Sequence, residues 1–191
     1  MNILIIYAHP NHDSFNGAIL KTIRENISSD HQVKLLDLYA ENFDPVLRFD
    51  KEKKRRDLDK DPETASYRKD ITWADKLIFI YPIWWSGMPA ILKGYIDRVF
   101  AAGFAYSYKK VGIGLEGHLT GKSAWIITSH ANPSFIAHHF VQDYGKILKN
   151  QILKYYGISP IERIEFANVE KTSASKLKKE LDKLATKTKQ L

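Results

Sequence analysis

The sequence predicts an α/β protein with a five-stranded parallel sheet covered by helices on both faces. Short β-branched apolar runs alternate with longer helical patterns along the chain, the signature of a parallel α/β sheet. The first run, residues 3–7, is apolar at every position, as a strand buried on both faces requires. The whole chain divides into five βα units, the last ending in a terminal helix.

After the strand at 3–7 comes a helix pattern with Ser14 as its N-cap and Ala18, Ile19, Ile23 and Ile27 on the inner face. The second strand covers residues 32–38. Residues 41–70 form a charged connection that includes Lys51-Glu52-Lys53-Lys54-Arg55-Arg56 and reads as a solvated excursion with a short helix near 63–73. The third strand, 76–81, leads to a helix from Pro89 to Phe100, and Pro89 suits the first turn because its missing N–H costs nothing there. Residues 103–121 hold five glycines among Tyr106, Tyr108 and Lys109-Lys110 and read as a long rim loop. The fourth strand at 123–128 precedes a helix near 140–156 closed by Gly157. A fifth strand at 161–167 and a tail helix striped by Leu177, Leu181 and Leu184 complete the chain.

Composition sets the outer limits. The 191 residues suit one domain spanning 1–191, and 44% apolar with 27% charged residues excludes wholesale disorder. The absence of cysteine excludes disulfides, thiolate metal sites and cysteine nucleophiles. No apolar run reaches the roughly 18 residues that would span a bilayer, and the N-terminus lacks a basic leader segment, so a cytoplasmic protein without membrane insertion is expected. The net charge is +7, of which +5 lies in residues 171–191. A solvated Lys-rich helix face accounts for that; the other reading, a patch for nucleic acid or a membrane surface, has no second feature behind it, so no nucleic-acid partner is expected.

In an open parallel sheet, ligands bind outside the carboxyl ends of the strands, where the strand order reverses. Three chemically rich loops leave such ends. The first, residues 8–17, lacks both G-x-G-x-x-G and a Walker lysine. It offers instead a helix start with N–H groups at Phe15, Asn16 and Gly17, the Ser14 hydroxyl and the His9 imidazole, which together suit a phosphate. His9 reads equally as a strand-end histidine satisfied by local backbone, and Asp13 opposes an anion unless its side chain points away. The second loop carries Pro82, Ile83, Trp84 and Trp85, whose paired indoles suit either a stacked planar ligand or a neighbouring subunit. The third, Thr128, Ser129, His130 and Ala131, adds hydroxyls and an imidazole that could ring a heterocycle. The three loops suit a cofactor with one phosphate end and one large flat end. No carboxylate accompanies His130, His138 and His139 at ligand spacing, so no metal is expected.

Ala8-His9-Pro10 with Ser14-Phe15-Asn16, the block from Pro82 to Gly94, Asp97-Arg98-Val99-Phe100 and Gly103-Phe104-Ala105-Tyr106-Ser107-Tyr108 occur in order. This series resembles the flavodoxin-like NAD(P)H:quinone oxidoreductases, the DT-diaphorase group, over roughly residues 2–130. The resemblance implies a flavodoxin-like doubly wound fold and a homodimer whose active sites are completed across the interface. It implies a flavoenzyme that takes hydride from NAD(P)H through flavin N5 and gives it to a quinone or similar flat acceptor. His9, Ser14, Phe15 and Asn16 would hold the flavin phosphate; Pro82, Ile83, Trp84, Trp85 and the loop Thr128 to Ala131 would line the ring. Tyr106 and Tyr108 would close over the substrate. Where family members carry Thr-Gly-Gly or Val-Gly-Gly, this chain has Ser129-His130-Ala131. In place of a Tyr/His pair that stabilises the reduced flavin it has Phe135 and Ile136, with His138 or His139 as the substitute. The short chain favours FMN over FAD. Two other roles share the fold: a flavin-binding regulatory subunit of a membrane ion-efflux system, and a flavodoxin-type electron carrier.

Overall fold

The computed structural model describes residues 1–52, 54–109, 111–133 and 145–191. In chain order the strands are β1 (Asn2–Tyr7), β2 (Gln32–Asp37), β3 (Lys76–Pro82), β4 (Tyr106–Tyr108), β5 (Leu115–Gly117), β6 (Ser123–Ser129) and β7 (Ile161–Phe166). Among the described residues the α-helices are α1 (Phe15–Asn26), α2 (Ala65–Trp73), α3 (Ala90–Val99) and α4 (Ala174–Thr188). Strands β2-β1-β3-β6-β7 form one sheet in that order, and all its pairings are parallel.

Alternation along the strands divides the core in two. Leu4, Ile6, Leu77 and Phe79 point to the face that also buries Ile71, Leu92 and Tyr95 of α2 and α3. Ile3, Ile5, Ile78 and Ile80 point to the other face, against Ile19 and Ile23 of α1 and Leu184 of α4. The unbroken apolar run of β1 is thus one strand serving two cores, each side chain removed from water on its own side. The predicted tail stripe docks through Leu181 and Leu184, and its lysines stay largely on the outer face.

Three local features differ from the sequence reading. Residues 103–121 are not an open loop: β4 and β5 pair antiparallel into a ribbon, with Tyr106 opposite Gly117 and Tyr108 opposite Leu115. Gly117 is required there, because a Cβ would stand 2.3 Å from the Tyr156 carbonyl carbon. Pro89 is the N-cap of α3 and not part of its first turn. Of the predicted helix at 140–156, the described part contains a π-helical stretch, Leu148–Leu153, followed by Gly157 at φ +87°.

The charged excursion is anchored by two buried arginines that charge patterning alone hides. Arg98 of α3 donates from Nη1 to the Asp44 carbonyl at 2.6 Å and pairs through Nη2 with Glu63 at 2.5 Å. Arg68 of α2 donates to the carbonyls of Leu58 and Asp61 at 3.1 and 2.6 Å, which pins the 3₁₀ turn Arg55–Lys60. The excursion then approaches α3 so closely that a Cβ on Gly94 would lie 2.2 Å from the Pro45 carbonyl oxygen. Backbone cannot yield there as a flexible side chain could. Gly94→Ala is therefore expected to lower stability by about 2 kcal/mol, read as a lower urea midpoint at unchanged slope; an unaltered midpoint would refute this contact.

Candidate functional site

The chain builds β2 on one side of β1 and then crosses to build β3 on the other. Connections leaving the carboxyl ends of β1 and β3 therefore diverge and open a crevice between them. A cavity of about 760 Å³ occupies it, within the usual range for small-ligand sites. Its wall comes from the β1–α1 loop (His9, Ser14, Phe15, Asn16), the end of β3 and the turn beyond it (Pro82, Ile83, Trp84, Trp85), and the end of β6 with the residues that follow (Ser129, His130, Ala131). Every residue of the predicted cofactor set lies on this wall except Thr128, which sits inside β6 at 2% exposure. The period-2 pleat puts the Thr128 side chain on the opposite face from its neighbour Ser129.

The helix start of α1 faces this cavity through Ser14, Phe15 and Asn16. Ser14 is the N-cap and its hydroxyl accepts from the Gly17 N–H at 3.2 Å. Of the three predicted donors, Gly17 is thus already satisfied, leaving Phe15 and Asn16 as the first-turn N–H groups for a ligand. Gly17 serves packing instead: a Cβ would stand 1.8 Å from the His12 carbonyl oxygen. Asp13 lines a neighbouring depression with His12, Lys21 and Arg24 and is not part of the crevice wall.

Side chains around the helix start are held in place. His9 Nδ1 is held by the Asn11 backbone, 3.1 Å from its N–H and 2.9 Å from its carbonyl oxygen, which fixes the ring. Asn16 is 3% exposed and donates from Nδ2 to the Ser129 hydroxyl at 2.8 Å, tying the first loop to β6. Its Oδ1 is buried with no protein partner among the described residues, an unused acceptor on the cavity wall. His130, 5% exposed, pairs through Nε2 with Glu165 Oε1 at 2.9 Å, and Arg163 lies 3.4 Å from the other carboxylate oxygen.

At the opposite wall, Trp84 and Gly87 exchange N–H···O bonds of 2.9 and 3.0 Å around Trp85 and Ser86, both at positive φ (48° and 65°). This two-residue turn needs the left-handed region twice, where glycine or asparagine is usual. Holding two L-residues there costs on the order of 1–3 kcal/mol each. The turn leaves Trp84 42% exposed beside the His9 ring (centroids 5.8 Å apart) and Trp85 fully exposed.

Val169 and Glu170 also line the cavity and were not anticipated. They arrive because loops after β6 and β7 zip together, His130 N–H to the Phe166 carbonyl at 3.0 Å and Val169 N–H to the His130 carbonyl at 3.1 Å. The signal was available in the topology: β7 ends at the same sheet edge as the other three loops.

Tyr106 and Tyr108 are not on this cavity. They stand on β4 and line a second one. Burial pushes the Tyr106 hydroxyl above its ordinary pKa, with the Tyr108 group adding to the shift and the Arg55 charge opposing it. His138 and His139 lie outside the described residues.

A family model described as a flavodoxin-like fold matches residues 1–189. The uncharacterized NAD(P)H oxidoreductase YcaK of Escherichia coli is 33% identical over 162 residues, 82% of this chain and 78% of that protein. Against other curated relatives the chain spans about half of their length. Among solved structures, Smu.1420 from Streptococcus mutans UA159 is 61% identical with a TM-score of 0.96, covering 100% of both chains. An NAD(P)H:quinone oxidoreductase from Methanothermobacter marburgensis is 26% identical with a TM-score of 0.81, covering 99% of this chain and 96% of that one.

The cap and the anion-accepting helix start separate experimentally. Ser14→Ala is expected to cost about 1 kcal/mol in chemical denaturation, whereas Ser14→Asp, an equally good cap, leaves stability within about 0.5 kcal/mol. Equal losses in both variants would contradict the capping role.

Proposed function

The chain belongs to the flavodoxin-like fold family whose model spans residues 1–189, and from that premise we propose that it is a flavin-dependent NAD(P)H:quinone oxidoreductase. On this reading it is a single flavin-binding domain, cytoplasmic, that works as a homodimer. The observation that carries the reading is the crevice between β1 and β3. It joins a capped helix start to a flat wall of Pro82, Ile83 and Trp84 within one cavity.

The residues present fit a flavin. Phe15 and Asn16 offer first-turn N–H groups to a phosphate, supported by the partial positive charge of the α1 N-terminus. The His9 imidazole, tethered through Nδ1 to the Asn11 backbone, stands at the same place. Asn16 Oδ1, buried and without a protein partner among the described residues, is an acceptor awaiting a donor. Trp84 and Ile83 supply a wall for a planar ring, and Ser129, His130 and Ala131 close its far edge. FMN is the flavin proposed: among the described residues of the wall, the start of α1 is the helix start available to a phosphate.

When bound, the flavin would supply the two-electron hydride chemistry between NAD(P)H and the acceptor. The protein's part is orientation and exclusion of water. Ile83, Trp84 and Val169 form the apolar wall that would orient the ring and exclude water, leaving its other face for nicotinamide and acceptor in turn. The Glu165 carboxylate holds the His130 imidazole and with it the loop that borders the ring. His138 or His139 is the proposed donor toward the reduced ring.

Tyr106 and Tyr108 enter through the second subunit. Tyr108 is 74% exposed, and the same ribbon carries Val111 and Ile113 at its tip at 89% and 101%. Two aliphatic side chains that open to water on one ribbon tip are a cost that a second copy of the chain would remove. The ribbon would then present its tyrosines to the partner's crevice.

The test is spectroscopic and kinetic. Purified protein, as isolated or after FMN addition, is expected to be yellow, to oxidise NADH or NADPH with a naphthoquinone as acceptor, and to sediment as a dimer. Ser14→Asp is expected to weaken FMN binding at least about tenfold while the fold persists, since a carboxylate then faces the phosphate. A colourless protein that stays inactive with added FMN or FAD would sink the proposal.

A further inference from the structure

Beside the crevice, the carboxyl edge of the sheet carries an imidazole–carboxylate pair to which the flavin reading gives no role. β2 ends on Asp37, which lies across from Tyr7 at the end of β1. Asp37 is 7% exposed, and a carboxylate so far removed from water needs partners. Its Oδ1 accepts the N–H groups of Tyr39 and Ala40, both at 3.1 Å, which ties the carboxylate to the turn after β2. Its Oδ2 faces the β1–α1 loop, where His12 Nε2 stands 2.6 Å away. An ionised carboxylate only accepts, so the imidazole donates from Nε2.

His12 is held from two further sides. Its ring tilts against that of the fully buried Tyr7, with centroids 5.2 Å apart and 34° between planes. Its backbone lies against the first turn of α1, where a Cβ on Gly17 would meet its carbonyl oxygen at 1.8 Å. His12 thus spans the gap from the end of β2 to the first turn of α1, just ahead of the Ser14 cap. Asn11 braces the same segment: its Oδ1 accepts the Asp13 N–H at 2.8 Å, and its carbonyl accepts the Ser14 N–H at 3.4 Å. The His12 side chain faces the neighbouring depression and is not on the crevice wall. Its effect on a ligand in the crevice therefore passes through the loop it holds.

We propose that the His12–Asp37 pair is the positioning latch for the phosphate end of the crevice, setting the first turn of α1 so that the Phe15 and Asn16 N–H groups converge on the phosphate of a flavin. The latch rests on the reading of the crevice as a flavin site. It selects for the phosphate and not for the ring, because the ring wall is anchored separately. The Ile83 N–H donates to the Ser129 carbonyl at 2.8 Å, and Trp84 is closed onto Gly87. Holding the donors in place before the ligand arrives spares the cost of ordering them on binding.

Fluorescence titration of the purified full chain with FMN and with riboflavin, which lacks the phosphate, reads the two ends separately. His12→Ala leaves Asp37 on the Tyr39 and Ala40 N–H groups, so the fold is expected to persist, as the urea midpoint will show. FMN should then bind about tenfold more weakly, and riboflavin within about twofold of the parent protein. His12→Gln, whose amide donates in place of Nε2, should recover part of the loss. Asp37→Asn should weaken FMN to a similar degree, and the double variant His12→Ala/Asp37→Asn no further than either alone, since all three remove one bond. Unchanged FMN affinity in His12→Ala overturns the latch. Equal losses for FMN and riboflavin also overturn it, since they mark a general loosening of the loop, and so do additive losses in the double variant. A parent protein that binds neither flavin overturns the crevice reading and the latch with it, whereas the other adverse results overturn the latch alone.

Discussion

The reversal of strand order at β1 is the constraint on which the candidate site depends. The chain places β2 on one flank of β1 and β3 on the other, and only that reversal parts the two connections at the carboxyl edge. The same step turns the α1 N-terminus and the Trp84–Gly87 turn toward one space. If β3 had paired outside β2, the donors at Phe15 and Asn16 and the wall at Ile83 and Trp84 would have been separated by a strand. Two-sided burial of β1 enforces the arrangement: Ile3 and Ile5 need α1 and α4 over one face, while Leu4 and Ile6 need α2 and α3 over the other.

Much of the fold was legible because its signals are local. The continuous apolar runs of β1 and β3, the Ser14 cap, the Leu181 and Leu184 stripe and Gly157 each carry their physical reason within a few residues. The crevice wall was legible for the same cause: once strand ends are located, parallel topology assigns their loops to one edge. What stayed hidden depends on distance in sequence. Charge patterning marks 51–56 as polar, but nothing nearby says that Arg98 and Arg68 would bind that excursion through backbone carbonyls of Asp44, Leu58 and Asp61. Gly117 reads as one more loop glycine until Tyr156 arrives beside it. Val169 and Glu170 reach the cavity through hydrogen bonds between two loops, which no single segment announces. Thr128 shows the reverse error: being next to Ser129 in sequence puts it on the opposite face of the sheet.

The two cavities differ in what lines them. The crevice offers helix-start donors, a tethered imidazole and a largely apolar wall, the features of a resident cofactor site. The second is lined by stacked tyrosines with Arg55 and Arg56 on its other side. Most of the net charge of +7 lies in the last 21 residues and contributes a diffuse field. Arg55 and Arg56, by contrast, are positioned by a pinned turn, so their charge acts at a defined place. Composition alone could not distinguish these two kinds of positive charge.

The central claim is that the crevice opened by the reversal at β1 is the cofactor site. A crystal structure of the protein soaked with FMN tests it most directly. The account predicts density for one flavin in that crevice, its phosphate on the N–H groups of Phe15 and Asn16 and its ring beside Ile83 and Trp84. Flavin density in the Tyr106–Tyr156 cavity with the crevice filled only by solvent would contradict it.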